Sequence, residues 1–165
     1  MSDNWATPQS FVDHIQEIFE LKFDMDACAS LDSKKVDFFY SEDTNSLVQR
    51  WHGSVWCNPP YSKKLKRQFV EKAINECHDQ NVQVIVMLIP ARTDTKLFHD
   101  VILKNAKSIY FIKGRINFIL DGNTYSGSTT ASMLVFFTPN SVRSQSIEAS
   151  MYALDVPKDK RREKR

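Results

Sequence analysis

Apolar positions along this chain alternate between a helical and a strand-like period. Thr7-Pro8 places a capping hydroxyl before a proline suited to the first helical position, and Phe11, Ile15, Ile18 and Phe19 then fall on one face of a helix. Leu65, Phe69, Ala73 and Cys77 recur every four residues and predict a longer helix, and a third fits Thr93 to Lys104 with Leu97, Phe98, Val101 and Ile102 inward. Leu21–Asp26, Val36–Tyr40 and Ser54–Cys57 read as three short strands. Val82 to Ile89 is nearly all apolar, as in a strand covered on both faces of a parallel sheet, and Pro90 is expected to stop it. Ser108–Ile112 and Ala131–Phe137 complete the strands.

Elements that alternate in this way predict an α/β fold with helices on both faces of a mostly parallel sheet. The segment from Lys113 to Thr130 holds three of the four glycines and lacks room for a crossover helix, so the final strand is expected to return antiparallel. Gly122 to Thr129 has the outer spacing of a phosphate loop but carries Ser128 where the lysine must stand, and it reads better as a hairpin. Residues 140–157 show no assignable pattern.

Composition narrows the picture. A chain of 165 residues with 42% apolar and 25% charged residues suits one domain, taken as residues 1–157. Residues 158–165 contribute +4 to a net charge of +2 and read as a disordered basic tail, either a solubilising end or a loose contact to nucleic-acid phosphate. No two glycines form G-x-G-x-x-G, which argues against a dinucleotide enzyme. Cys28, Cys57 and Cys77 form no C-x-x-C pair and are expected as reduced thiols, and His14, His52, His78 and His99 lack metal-ligand spacing, so no metal is expected. The longest apolar run, Val84–Ile89, is too short for a bilayer, and no membrane or targeting segment is expected.

In an open α/β sheet ligands sit beyond the carboxyl ends of the strands, which singles out Asp24–Ser30, Ser41–Asp43, Asn58–Tyr61 and Pro90–Asp94. The most specific of these is Asn58-Pro59-Pro60-Tyr61. Two prolines lock φ and remove two amide donors, leaving the Pro59 carbonyl and the Asn58 amide oxygen as fixed acceptors for a substrate NH2, with Tyr61 able to stack on a planar ring. Lys63, Lys64, Lys66 and Arg67 follow at the start of a helix, where cations oppose the dipole; they read as a solvated run or as contacts to phosphates flanking an extruded base. Arg92, after a buried strand at the same edge, is a substrate contact or a structural ion pair.

The chain resembles the small phage-type DNA N6-adenine methyltransferases. The tetrapeptide carries the resemblance together with Trp5-Ala6-Thr7-Pro8, Asp26 to Ser30, Trp51 to Tyr61, Pro90 to Thr95, and Gly114-Arg115 with Phe118. It implies a Rossmann-like methyltransferase sheet that uses S-adenosylmethionine on double-stranded DNA in a host cytoplasm, with Asn58, Pro59, Pro60 and Tyr61 as the catalytic set. It further implies that Trp5, Thr7 and Pro8 close over the cofactor, that Asp26 lies near its methionine moiety and that Ala27 is also cofactor-binding. Asp43 would meet its ribose, Asn45 or Ser46 its adenine, and Lys63, Lys64, Arg92, Arg115 and Phe118 the DNA. Asp26 and Asp43 also read as capping acids. The glycine-rich turn of larger methyltransferases is replaced here by Asp26-Ala27-Cys28-Ala29, and the fold must be trimmed between Asp26 and Asn58. The rival readings are methylation of RNA or of a protein glutamine, and a non-catalytic DNA-binding module. Target sequence and oligomeric state are not legible.

Overall fold

The computed structural model describes residues 5–125, 130–144 and 148–158. Its strands are β1 (Met25–Asp26), β2 (Gly53–Cys57), β3 (Val82–Pro90), β4 (Ser108–Ile112), β5 (Ile119–Leu120), β6 (Asn123–Thr124), β7 (Ser132–Phe137) and β8 (Ser150–Leu154). Six of them form one sheet in the order β1-β2-β3-β7-β4-β8, while β5 and β6 make a separate hairpin. All sheet neighbours are parallel except β7, which runs antiparallel to both β3 and β4. The return expected at 131–137 is therefore present, in the middle of the sheet, and β8 adds a further parallel strand from the segment that had no assignable pattern.

Side chains along β3 alternate between two cores. Ile85, Met87 and Ile89 join Val55, Cys57 and Val135 beneath α2 (Lys63–Glu76), where Phe69, Val70 and Ala73 cover them. Val86 and Leu88 join Trp56, Leu134 and Phe136 beneath α1 (Gln9–Ile18), through Phe11, Val12 and Ile15. A strand buried on both faces needs a near-continuous apolar sequence, which is why 82–89 is legible as one. The strand stops at Pro90 as expected, with Pro90 included as its last residue, opposite Ser132. The first core is completed by a π-helical turn, Leu97–Ile102, continuing into α3 (Leu103–Asn105), and by Val142 of α4 (Pro139–Ser144).

Three local expectations are corrected. Ile18 is 41% exposed, because the buried arc of α1 runs through Phe11, Val12 and Ile15 and leaves Ile18 at its margin. Val36–Tyr40 is not a strand; it touches β1 through a single parallel bridge, Asp26 to Phe39, and Phe38 is exposed. β1 is only two residues long and offers no further ladder to extend. The Thr7 hydroxyl makes no cap on α1.

The hairpin lies slightly earlier than expected. Its turn residues Asp121 and Gly122 both have positive φ, 51° and 78°, as a two-residue hairpin turn with a matching twist requires. Residues 126–129, the rest of the expected hairpin, and 159–165 of the basic tail lie outside the described residues. Gly53 has φ +67° at the entry of β2, and a Cβ there would overlap the Asp24 carboxylate, which accepts the Ser54 amide at 2.8 Å. No helix among the described residues is long and apolar enough to cross a membrane.

Candidate active site

The parallel strands β1, β2 and β3 end on the same edge, and β2 delivers Asn58-Pro59-Pro60-Tyr61 directly from Cys57. Trp5, Asn58, Pro59 and Tyr61 line one pocket there. The Asn58 amide is held at both ends: its Nδ2 donates to Thr7 Oγ1 at 3.0 Å, and its Oδ1 accepts from the Tyr61 hydroxyl at 2.9 Å. Burial, and after it the neighbouring Cys57, pushes the Tyr61 phenol above its ordinary range, so it remains a protonated donor. The Pro59 carbonyl accepts no hydrogen bond from the described residues.

Two distant segments line the pocket, and the hairpin region holds them in place. Ala6 and Ile119 exchange backbone hydrogen bonds at 2.7 and 2.8 Å, which ties the stretch before α1 to the β5–β6 hairpin. The Trp5 and Tyr125 rings meet edge to face at 5.1 Å between centroids. Phe118 meets the Tyr61 ring edge-on at 6.2 Å and is itself only 6% exposed, so it supports Tyr61 from behind. Pro8 and Pro60 are half-buried, and Arg115 is exposed on the loop leading to the hairpin.

Asp26, at the end of β1, is 2% exposed. Its Oδ1 accepts the Cys28 amide at 3.2 Å and its Oδ2 the Lys35 amide at 3.1 Å, so the carboxyl closes the 26–35 loop on itself. Burial pushes its pKa up to about 7, against the smaller opposing effects of these two amides and of the Lys35 charge. Among the described residues it forms no ion pair. Each oxygen keeps a free lone pair, and a ligand ammonium there would supply the missing cation. These two acceptor oxygens suit a cationic group of a ligand. Ala27 packs in the first core, its amide donating to the Trp56 carbonyl at 2.9 Å.

Asp43 and Asn45 are exposed in the turn 41–45, and Asn45 has φ +50°. Ser46 faces inward instead, its Oγ accepting from Trp51 Nε1 at 3.0 Å, which is a packing role. Lys63 and Lys64 are exposed in the first turn of α2. Lys66 is half-buried there; burial lowers its pKa, and the charges of Arg92 and Lys63 lower it further, which brings these three cations to one place. Arg92 forms no ion pair among the described residues, whereas Arg67 bonds Glu71 one turn on, at 3.1 Å. Burial raises the Cys57 thiol well above its ordinary range and the Cys77 thiol to about 12, so neither is an activated nucleophile. No group of three or more His, Cys, Asp or Glu among the described residues could hold a metal ion.

Sequence reasoning missed two features. The clamp of Asp26 on the Lys35 amide spans nine residues without a motif. The bond from Asn58 to Thr7 spans 51, and it takes up a hydroxyl that the sequence assigns to a cap.

Comparison with known proteins adds an independent line. A family model described as DNA N-6-adenine-methyltransferase (Dam) matches residues 1–162. The chain is 36% identical over 162 residues to the DNA N-6-adenine-methyltransferase of Haemophilus phage HP1 (strain HP1c1), covering 96% of this chain and 91% of that protein. It is 38% identical over 129 residues to the DNA N-6-adenine-methyltransferase of Escherichia phage T1, covering 76% of this chain and 51% of that protein. No solved structure gives a significant match.

Proposed function

The chain belongs to the DNA N-6-adenine-methyltransferase (Dam) family, and from that premise we propose how it methylates adenine N6 in DNA: the donor is S-adenosylmethionine, the substrate is the duplex, and Asn58-Pro59-Pro60-Tyr61 presents the amine. The observation that carries this reading is the pair of acceptors at one pocket, Asn58 Oδ1 and the Pro59 carbonyl, the latter with no donor of its own among the described residues. An exocyclic NH2 that donates to both has its nitrogen lone pair directed away from them, toward the electrophile. Bound S-adenosylmethionine supplies a methyl group on a cationic sulfur, reactive enough that no strong base is required.

The chain's own residues therefore align and stabilise. Asn58 and Pro59 accept from the amine and favour the positive charge that develops on nitrogen. Tyr61, backed by Phe118, and Trp5 offer ring faces to an adenine turned out of the helix at a cost of about a few kcal/mol. Asp26 receives the cationic end of the donor, while Asp43 and Asn45 reach its ribose and adenine. Lys63, Lys64, Lys66 and Arg92 on one side, and Arg115 on the other, receive the flanking phosphates. Such an enzyme works in the cytoplasm of the cell that holds its DNA.

The test supplies labelled S-adenosylmethionine with duplex DNA, single-stranded DNA and RNA in parallel and digests the products to nucleosides. Label in N6-methyldeoxyadenosine from the duplex is expected. Label in N4-methyldeoxycytidine, or in RNA alone, would overturn the substrate, and calorimetry that finds no saturable S-adenosylmethionine site would overturn the donor.

A further inference from the structure

We infer that Thr7 is a positioning residue for the reaction, acting on the target amine through Asn58 rather than closing over the methyl donor; this rests on the reading that Asn58 accepts from N6. Thr7 is 1% exposed and lies one residue before Pro8, which takes the N-cap position of α1, so its hydroxyl provides no cap. Its hydroxyl receives the Asn58 Nδ2 proton at 3.0 Å instead. The Tyr61 hydroxyl holds the other end of the same amide at 2.9 Å.

A primary amide on a rotatable stem has two ends of nearly equal size, so packing alone does not fix its plane or its orientation. Orientation matters here, because Nδ2 turned toward the substrate would set two donors against an amine that also donates two. With Thr7 occupying Nδ2 and Tyr61 occupying one lone pair of Oδ1, the second lone pair is left in a fixed direction. Tyr61 is three residues from Asn58 and travels with it. Thr7 comes from the far end of the chain, carried by a segment that Ala6 anchors to Ile119 of the hairpin. Among the described residues, Thr7 is therefore the hydrogen-bond partner that ties the amide to the segment carrying Trp5, which also lines the pocket.

The experiment compares Thr7→Val, which keeps the shape and loses the hydroxyl, with Thr7→Ser, which keeps the hydroxyl, after melting curves establish that each is folded. Thr7→Val should lower kcat by at least about tenfold with the dissociation constant for S-adenosylmethionine within about threefold, and Thr7→Ser should recover most of kcat. In an Asn58→Ala background Thr7→Val should cost nothing further. Independently of turnover, the Asn58 side-chain NH2 resonances should shift and exchange faster in Thr7→Val than in Thr7→Ser. Equal kcat in the Val and Ser variants, additive losses with Asn58→Ala, or unmoved Asn58 resonances would overturn the inference; weakened donor binding at constant kcat would return Thr7 to the cofactor. Should Thr7→Val not fold, Thr7→Cys, a poorer acceptor of similar volume, carries the same expectations. A wild-type protein that methylates no DNA adenine would instead defeat the functional reading and leave the resonance result standing.

Discussion

The Tyr61 hydroxyl donates to Asn58 Oδ1 at 2.9 Å, so the aromatic residue of the tetrapeptide restrains its acceptor as well as offering a ring face. The two Pro residues between them make this possible, since their fixed φ values bring positions three apart within hydrogen-bond reach. Tyr61→Phe separates the two roles. Losing one neutral hydrogen bond should cost about 0.5–1.5 kcal/mol, a fall of roughly 2- to 12-fold in kcat, with base stacking intact. Tyr61→Ala, which also removes the surface packed on Phe118, should cost more. Single-turnover methylation of a duplex checks this: an unchanged kcat in Tyr61→Phe would leave the hydroxyl without a role, and equal losses in the two variants would leave the ring without one.

Asn58→Ala should abolish useful methyl transfer while leaving donor affinity within a few-fold. By analogy with removal of one oriented oxyanion donor, the barrier should rise by about 2.7–4 kcal/mol, or at least about 100-fold in rate. Retention of more than about a tenth of wild-type turnover, a loss below about 1.4 kcal/mol, would falsify the assignment.

Asp26 gives stability a pH dependence of defined sign. Burial raises its folded-state pKa from the ordinary 3.8 to about 7, despite the Cys28 and Lys35 amides and the Lys35 charge. Between those values the folded state holds a proton that the unfolded state releases. The contribution is therefore fully present below about pH 4 and is lost as pH rises toward 7, by up to about 1.4 kcal/mol per unit. Asp26→Asn should flatten that part of a urea-denaturation pH profile. If a cationic donor group sits against Asp26, its binding near pH 7 should also release a proton, read as a dependence of calorimetric enthalpy on buffer ionisation. Asp26→Ala should weaken donor binding by about tenfold or more, since charge-assisted bonds contribute roughly 1.5–3 kcal/mol; unchanged affinity would leave Asp26 as the clamp of its own loop.

Charge reversal at Lys63 and Lys64, both exposed and without ion-pair partners among the described residues, should weaken duplex binding without lowering thermal stability. Each lost phosphate contact should reduce the log–log salt slope of affinity by about 0.9. Titrations at several salt concentrations measure it. An unchanged slope would make the run a solvated face.

Much of this protein was determined locally. The run Val82–Ile89 declares a strand covered on both faces because burial on each side leaves no place for polar residues, and Leu65, Phe69, Ala73 and Cys77 declare a helix because their spacing matches its turn. Asn58-Pro59-Pro60-Tyr61 declares its chemistry because two prolines fix its backbone whatever surrounds it. What only the tertiary structure decided depends on partners distant along the chain. The shortness of β1 denies Val36–Tyr40 a ladder, so an aromatic, β-branched segment stays outside the sheet. β8 is formed by pairing with β4, with Met151 and Tyr152 exposed, and so carries no inward pattern to read. Asp26 turns back on Lys35, and Thr7 gives its hydroxyl to Asn58 rather than to the helix it precedes. A hydrogen bond needs two groups aimed at each other, and across 51 residues that aim exists only once the sheet edge and the hairpin have brought both ends of the pocket together.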